Sequence, residues 1–365
     1  MGIHDTIGLS ESHIVPPRNA MDNIVVGRSI LLTGAGGSIG SALAKTILRL
    51  EPRCLILLDN SERNLNEIDL ELAQMNRHSH VSVLGDICDA KLLSQLFRRY
   101  HPEVVYHAAA FKHVPLMENN PFAAVRNNAL GTASLASISL CEGVAKFVLV
   151  STDKAVNPIS IMGASKRVAE LVLLSLNNPN NQMTAVRLVN VLGSQGSVVP
   201  RFLAQISRGG PVTVTHPDAT RYFVTTDEAV DLILLVSGLE EGGGIFVPQL
   251  GAPVKILDLA LELIAQARSQ TGTVTPLTFT GLRSGDKISE ELLAGDESAA
   301  PTADRRVLRV KTKVFPADAL ELYMQDLARC VEQRNLASMI ETLCQIVPDY
   351  RPTECLYAST QGSSA

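Results

Sequence analysis

The chain contains no tryptophan, and phenylalanine and tyrosine bring the aromatic share to only 4%, which leaves little surface for stacking nucleobases. Runs of lysine and arginine are absent and the net charge is −5, so the sequence-independent attraction to nucleic acid is missing. No apolar run approaches the roughly 20 residues that cross a bilayer. The most apolar windows, such as 229–239, reach only about half of that. No membrane span is expected, and the N-terminus MGIHDTIGLSESH lacks the basic-then-apolar order of a secretory signal. A cytoplasmic location is therefore expected. The six cysteines (Cys54, Cys88, Cys141, Cys330, Cys344 and Cys355) form no CxxC pair, and no HExxH occurs. Buried reduced thiols are expected, and no metal site.

What is present suits a large globular chain. The 365 residues are 46% apolar and 19% charged, which excludes wholesale disorder and favours two domains or one large α/β unit. Short β-branched runs alternate with helical patterns: SILLTG (29–34), CLILLD (54–59), VSVLGD (81–86), EVVYHAAA (103–110), KFVLVST (146–152) and MTAVRLVN (183–190). This rhythm predicts a doubly wound parallel sheet of the α/β class, with ligands at the carboxyl ends of the strands. After Asn190 the strands shorten and Gly/Pro turns multiply, which predicts a smaller C-terminal lobe. The expected boundaries are an N-terminal extension (1–27), a domain carrying the parallel sheet (28–190), a smaller lobe (191–350, interleaved with the first) and a tail (351–365). The stretch 296–302 (DESAAPT) reads as a mobile surface loop, and STQGSSA at the end as frayed.

The first strand runs into Thr33-Gly34-Ala35-Gly36-Gly37-Ser38-Ile39-Gly40, which opens an apolar-periodic helix. In that context Gly34 makes a tight turn, Gly37 lets backbone N–H groups approach a pyrophosphate, and Gly40 permits close helix–strand contact. Asp59 ends the next strand 19 residues after Gly40, where a carboxylate can accept from the adenosine ribose and would repel a 2′-phosphate. Arg63, four residues on, leaves NADP open. Asp86 is placed either to bind the adenine amino group or to cap the helix of DICDAKLLSQL.

Ten segments, in order, carry a family resemblance: TGAGGSIG (33–40), LLDNSE (57–62), GDICD (85–89), HAAAFKHVPLME (107–118), NNALGT (127–132), STDKAVNP (151–158), MGASK (162–166), VRLVNVLGSQGSVVP (186–200), TRYFVTTDEA (220–229) and GLRSGDKISEELL (281–293). On these motifs the chain resembles the extended short-chain dehydrogenase/reductase superfamily. Within it the chain is similar to the nucleotide-sugar 4,6-dehydratases of bacterial polysaccharide biosynthesis, typified by UDP-N-acetylglucosamine 4,6-dehydratase. It matches the catalytic portion that many members carry behind a membrane region.

The resemblance implies a Rossmann-like domain with a smaller substrate-binding lobe, a tightly bound NAD and a UDP-sugar substrate. It places Gly34, Gly37, Ser38, Ile39, Gly40, Asp59, Asn60, Ser61, Asp86, Ile87, Ala108, Ala109, Ala110, Lys112, Ser151 and Lys166 at the NAD. It places Lys112, Asn190, Ser197, Val198, Arg201, Arg221 and Arg283 at the UDP-sugar, with Glu118 near the sugar end. Arginines there would make forked bonds to the diphosphate.

The superfamily usually sets a Ser or Thr and a Tyr-x-x-x-Lys beside the nicotinamide; here the positions read Ser151, Met162 and Lys166. A thioether cannot exchange protons, so Met162 shapes the pocket without acting as a base. Chemistry then falls on Thr152, Asp153 and Lys154. The resemblance implies oxidation at sugar C4, loss of water across C5 and C6, and return of the hydride to C6. Lys154 is assigned as the C5 base, Asp153 as the acid for the C6 hydroxyl, and Asp153 or a water on Thr152 as the candidates for the C4 hydroxyl. Burial, a nicotinamide cation and Lys166 are expected to lower the Lys154 pKa, with Asp153 opposing them.

Retention at C5 is favoured by the Asn-Pro after STDKAV and by the GLRSGDK ending. The alternatives are a C5-inverting dehydratase, a UDP-sugar 4-epimerase, and a catalytically silent module that holds NAD and a UDP-sugar. Arg187 and the histidines at 107 and 113 read as structural. A homo-oligomer is expected, pairing through helices near 121–142 and 160–176.

Overall fold

The computed structural model describes residues 24–356, except 76, 78, 195, 273 and 355. Six of its strands follow the apolar runs: β1 (Ser29–Thr33), β2 (Cys54–Asp59), β3 (His80–Leu84), β4 (Val104–His107), β5 (Lys146–Thr152) and β6 (Gln182–Leu188). Later come β7 (Asn190–Val191), β8 (Val212–Val214), β9 (Thr220–Arg221), β10 (Phe223–Val224), β11 (Gly244–Pro248), β12 (Val254–Lys255), β13 (Leu277–Phe279), β14 (Ser298–Pro301) and β15 (Val307–Lys311).

Nine of these form one sheet in the order β14-β15-β11-β6-β5-β4-β1-β2-β3. It is parallel from β3 to β11, and β15 and β14 are antiparallel at one edge. The chain winds outward from β1 through β2 to β3, then restarts at β4 on the other side of β1. That reversal leaves a crevice at the carboxyl ends of β1 and β4.

The strands are apolar at successive positions because both faces are covered. Ile30 and Leu32 point into a core with Leu43, Ile47 and Ile233, while Leu31 joins the opposite core with Phe97, Leu135 and Phe147. Each such leucine, fully withdrawn from water, contributes about 1.5–3 kcal/mol. On the first face the helix Ser38–Arg49 packs against the helix Thr226–Gly238. The latter starts with a capping box in which Thr225 and Glu228 satisfy each other's backbone N–H groups. On the other face lie the helices Ala90–Tyr100, Thr132–Cys141 and Ile161–Leu176.

The smaller lobe consists of three two-stranded ladders, β7–β10, β9–β12 and β8–β13. They close on a separate core that includes Phe202, Val214, Phe223 and Leu259. Three features depart from the sequence reading. The expected strand 183–190 breaks after Leu188, and Asn190–Val191 turns aside to pair with β10. The stretch 296–302 is not a mobile loop: its residues 298–301 form β14, held by register to β15. The helix Ile161–Leu176, expected to pair between subunits, is covered within the chain by the helices Ala317–Glu332 and Leu336–Ile346. The buried apolar residues of that helix are thus core here, one of the two outcomes its apolar face allows.

The free cysteines also differ from expectation: Cys330 is buried but Cys141 is exposed. Cys355 and the STQGSSA tail lie outside the described residues. No helix among the described residues is long and apolar enough to cross a membrane.

Candidate active site

Gly34 adopts a left-handed φ of +67°, and a Cβ there would stand 2.6 Å from the Ala109 backbone nitrogen. A Cβ on Gly40 would lie 2.0 Å from the Gly34 carbonyl oxygen. Only glycine lets the turn, the β4 loop and the first helix approach this closely. Gly37 caps the helix Ser38–Arg49 without a side-chain partner, so the first helical N–H groups face the crevice ready for an anion. Asp59 braces this turn: Oδ2 accepts from Gly36 N and Oδ1 from Ser61 N, each at 2.9 Å. Its oxygens keep further lone pairs for a ribose. This cradle fits a dinucleotide pyrophosphate.

Arg63, in contrast, is exposed and pairs with Glu67 at 2.9 Å one helical turn on. Ser61 caps the helix Glu62–Ala73, Asn60 is exposed and Ile87 is core. Asp86 accepts from Cys88 N at 2.9 Å and faces Arg126 at 3.3 Å. It does not cap the following helix, a task taken by Asp89.

A cavity of about 560 Å³ opens at the crevice. Its lining includes Gly34, Gly37, Ser38, Ile39, Gly40, Ala108 and Ala110 from the glycine turn and the β4 loop, and Lys112, Asn190, Ser197, Val198, Arg201, Arg221 and Arg283. Ser151, Thr152, Lys154, Met162 and Lys166 line it as well. Residues far apart in the sequence therefore meet in one space. Asp59, Asn60, Ser61, Asp86, Ile87 and Ala109 lie outside that wall. Glu118 is also outside, its carboxylate taken by Ile161 N at 2.7 Å and by the Thr353 hydroxyl at 2.8 Å. His113, read as structural, lines the cavity. His107 is buried between the hydroxyls of Thr33 and Thr132, at 2.6 and 2.8 Å; burial and the charge of Lys166 push it down to about 3.

Strand β5 ends in a tight turn, Asp153–Ala155. Thr152 Oγ1 donates to Asp153 Oδ1 at 2.9 Å, and Lys154 Nζ donates to the same oxygen at 2.9 Å. Asp153 has no exposed surface, and its Oδ2 has no hydrogen-bond partner among the described residues. The residue expected as a direct acid thus reaches the cavity only through its two neighbours.

Burial would lower the Lys154 pKa, but the Asp153 and Glu290 carboxylates outweigh it and hold the amine above its ordinary range. Asp153 acts in the expected direction, and Glu290 adds a second carboxylate that the sequence reading did not include. Lys166 Nζ donates to Val150 O at 2.8 Å, and burial pushes it down to about 8 against the pull of Glu170. Ser151 turns its hydroxyl to Glu170 at 2.7 Å, away from the role the resemblance implies.

Both arginines expected at a diphosphate, Arg221 and Arg283, already bond within the chain. Arg221 donates Nη1 to the carbonyls of Thr220 and Ile288 and Nη2 to that of Lys287. Arg283 is forked onto Asp286 at 2.8 and 3.4 Å. Arg201 differs: its Nε is buried without a hydrogen-bond partner among the described residues, as are the hydroxyls of Ser197 and Ser284. Burial and the neighbouring Arg283 charge lower its pKa. Ser197 stands at the N-cap position of the helix Val198–Ser207 without a side-chain cap bond. Unpaired donors at a helix N-terminus suit a phosphate.

Sequence reasoning missed Asn128 and Glu290. Asn128 lies in a π-helical turn, Val125–Gly131, and bonds to both backbone groups of Phe111 and to Ser165 Oγ, fixing the cavity wall to the helix Ile161–Leu176. The Asn-Asn in NNALGT was its only sequence signal; the π-helical turn, a feature frequent at functional sites, shows only in the fold. Among the described residues no cluster of histidine, cysteine and carboxylates could hold a metal ion.

Comparison with known proteins agrees with this geometry. Residues 30–312 match the family described as polysaccharide biosynthesis protein. A capsular polysaccharide biosynthesis protein CapD of Staphylococcus aureus is 44% identical over 313 residues, covering 85% of this chain and 52% of the relative. The chain thus spans about half of that relative's length. An inverting UDP-N-acetylglucosamine 4,6-dehydratase of Campylobacter jejuni is 32% identical, covering 74% of this chain and 79% of the relative. The solved dTDP-glucose 4,6-dehydratase DesIV of Streptomyces venezuelae, with NAD bound, superposes with a TM-score of 0.64 at 22% identity, covering 82% of this chain and 98% of that one. The chain is a member of the polysaccharide biosynthesis protein family, built on the extended short-chain dehydrogenase/reductase fold.

Proposed function

We propose that the chain catalyses NAD-dependent dehydration of UDP-N-acetylglucosamine to the 4-keto-6-deoxy sugar nucleotide, for bacterial glycan synthesis. The observation that carries this reading is the Lys154 amine, anchored by Asp153, on the wall of the same cavity as the glycine turn. The glycine turn, Asp59 and Lys166 would hold NAD, and Arg201, Ser197 and the helix they adjoin would hold the diphosphate. Bound NAD would supply a hydride acceptor for sugar C4 and return the hydride to C6.

Protons are handled by the chain itself. Thr152 donates its own proton to Asp153, so the proton of the C4 hydroxyl passes to Asp153 through the Thr152 oxygen. The same pair then gives it to the departing C6 oxygen as water forms. Lys154, as the neutral amine, takes the C5 proton and later returns it to C5. Water is the only net loss, and Met162 is not required to act as an acid or base.

The test is incubation of purified protein with UDP-N-acetylglucosamine, read by mass spectrometry and NMR. Loss of one water with a methyl group at C6 is expected. A product that keeps oxygen at C6 would mark an epimerase, and the C5 ring couplings separate retention, which we favour, from inversion.

A further inference from the structure

Glu290 belongs to the smaller lobe but stands at the cavity wall against the turn that carries Lys154. Its position is built from both sides. The Arg221 guanidinium grips the carbonyls of Lys287 and Ile288, and Thr220 bonds to Ile288 O through its N–H and to the Ser289 hydroxyl through its own. Lys287 Nζ then donates to Val156 O at 2.7 Å, and Asn157 donates to Glu291 at 2.7 Å. These bonds tie the segment to the end of the Asp153–Ala155 turn.

The Glu290 side chain is only 3% exposed, and it faces three cations. Lys154 Nζ is 3.5 Å from Oε1, Arg221 Nε 3.8 Å from Oε1, and Lys287 Nζ 3.9 Å from Oε2. None of these contacts is a close hydrogen bond, and Oε2 has no hydrogen-bond partner among the described residues. A carboxylate kept for stability alone would be clasped, as Glu170 and Glu297 are by Arg187. Glu290 is instead held loosely beside the one amine that must exchange a proton.

We propose that Glu290 is a positioning residue for Lys154: its carboxylate anchors the amine inside the cavity and is the counter-charge against which that amine gains and loses its proton. The groups facing this pair are Asp153 from the β5 turn, Asn190 from β7, Arg221 from β9 and Lys287 from the same segment, with Glu291 beyond acting on Lys287. Asp153 and Glu290 favour the ammonium, and Arg221 opposes them. With Glu290 present, the amine is drawn toward the cavity as well as toward Asp153; without it, only the buried Asp153 remains to hold it.

The inference rests on the dehydratase reading for its consequence in turnover but not for its primary test. That test is the pH at which Lys154 is half-labelled by acetic anhydride in the full chain, measured peptide by peptide by mass spectrometry for wild type, Glu290→Gln and Glu290→Asp. Removing the carboxylate should lower that pH by about one unit or more, and the shorter carboxylate should recover part of the change. With UDP-N-acetylglucosamine, Glu290→Gln should lose about tenfold or more in kcat, with the acid limb of the pH profile moving down and KM changing less. An unchanged Lys154 midpoint in Glu290→Gln overturns the proposal whatever the turnover. Absence of turnover in wild type would refute the dehydratase reading and leave the labelling result to decide on Glu290.

Discussion

Lys154 Nζ and Asp153 Oδ1 lie 2.9 Å apart, yet the carboxylate has no exposed surface while the amine lines the cavity. The pair is therefore ordered from interior to substrate, and only its outer member can touch a sugar directly. Replacing Lys154 by Ala removes the base and leaves the glycine turn untouched. Product formation should fall by about 10²–10⁴-fold, while NAD retained per mole of protein, measured after denaturation, stays near the wild-type level. Normal turnover would reassign the base.

The state of that amine gives turnover a direction with pH. Lys154 is held above its ordinary pKa in the ligand-free protein, so the neutral fraction rises as pH rises. Since kcat/KM reports the free enzyme, it should climb steadily between about pH 7 and 9. A flat or falling profile measured by product release would show that proton removal by Lys154 does not limit the reaction.

A buried ionic network braces the floor of the site. Arg187 forks onto Glu170 and Glu297 at 2.6–3.0 Å, and Ser151 bonds to Glu170. Glu170→Ala would strand the buried guanidinium beside one remaining carboxylate and should cost about 3–5 kcal/mol, read as a lowered urea midpoint. Burial would raise the Glu170 pKa, but Arg187, Arg167 and Ser151 bring it down to about 2. A depressed folded pKa means that this stability is complete above the unfolded carboxyl value of about 4.3 and disappears as pH falls toward 2. Acid titration followed by circular dichroism should place much of the unfolding in that window for wild type and lose that portion in the variant.

The parts of the molecule that were legible in the sequence are those where one physical constraint acts alone. Ile30, Leu31 and Leu32 are all apolar because the sheet is covered on both faces, and that marks a buried parallel strand directly. Gly34 and Gly40 are fixed by contacts within their own turn and its neighbouring loop. The misread parts depend on partners from elsewhere. Residues 298–301 read SAAP, with no strand pattern of their own, and become a strand through register with β15. Arg221 lines the cavity, and nothing local in the sequence shows that Lys287 and Ile288 present carbonyls to its guanidinium. Glu290, which joins Asp153 in raising the Lys154 pKa, comes within 3.5 Å only through the folding of the smaller lobe.

The most direct test of the central claim follows the hydrogen that leaves sugar C4. UDP-N-acetylglucosamine carrying deuterium at C4 should yield a 4-keto-6-deoxy product with that deuterium in its C6 methyl group, and no net NADH should accumulate. Release of the label to solvent, or its retention at C4, would contradict the internal hydride return on which the account depends.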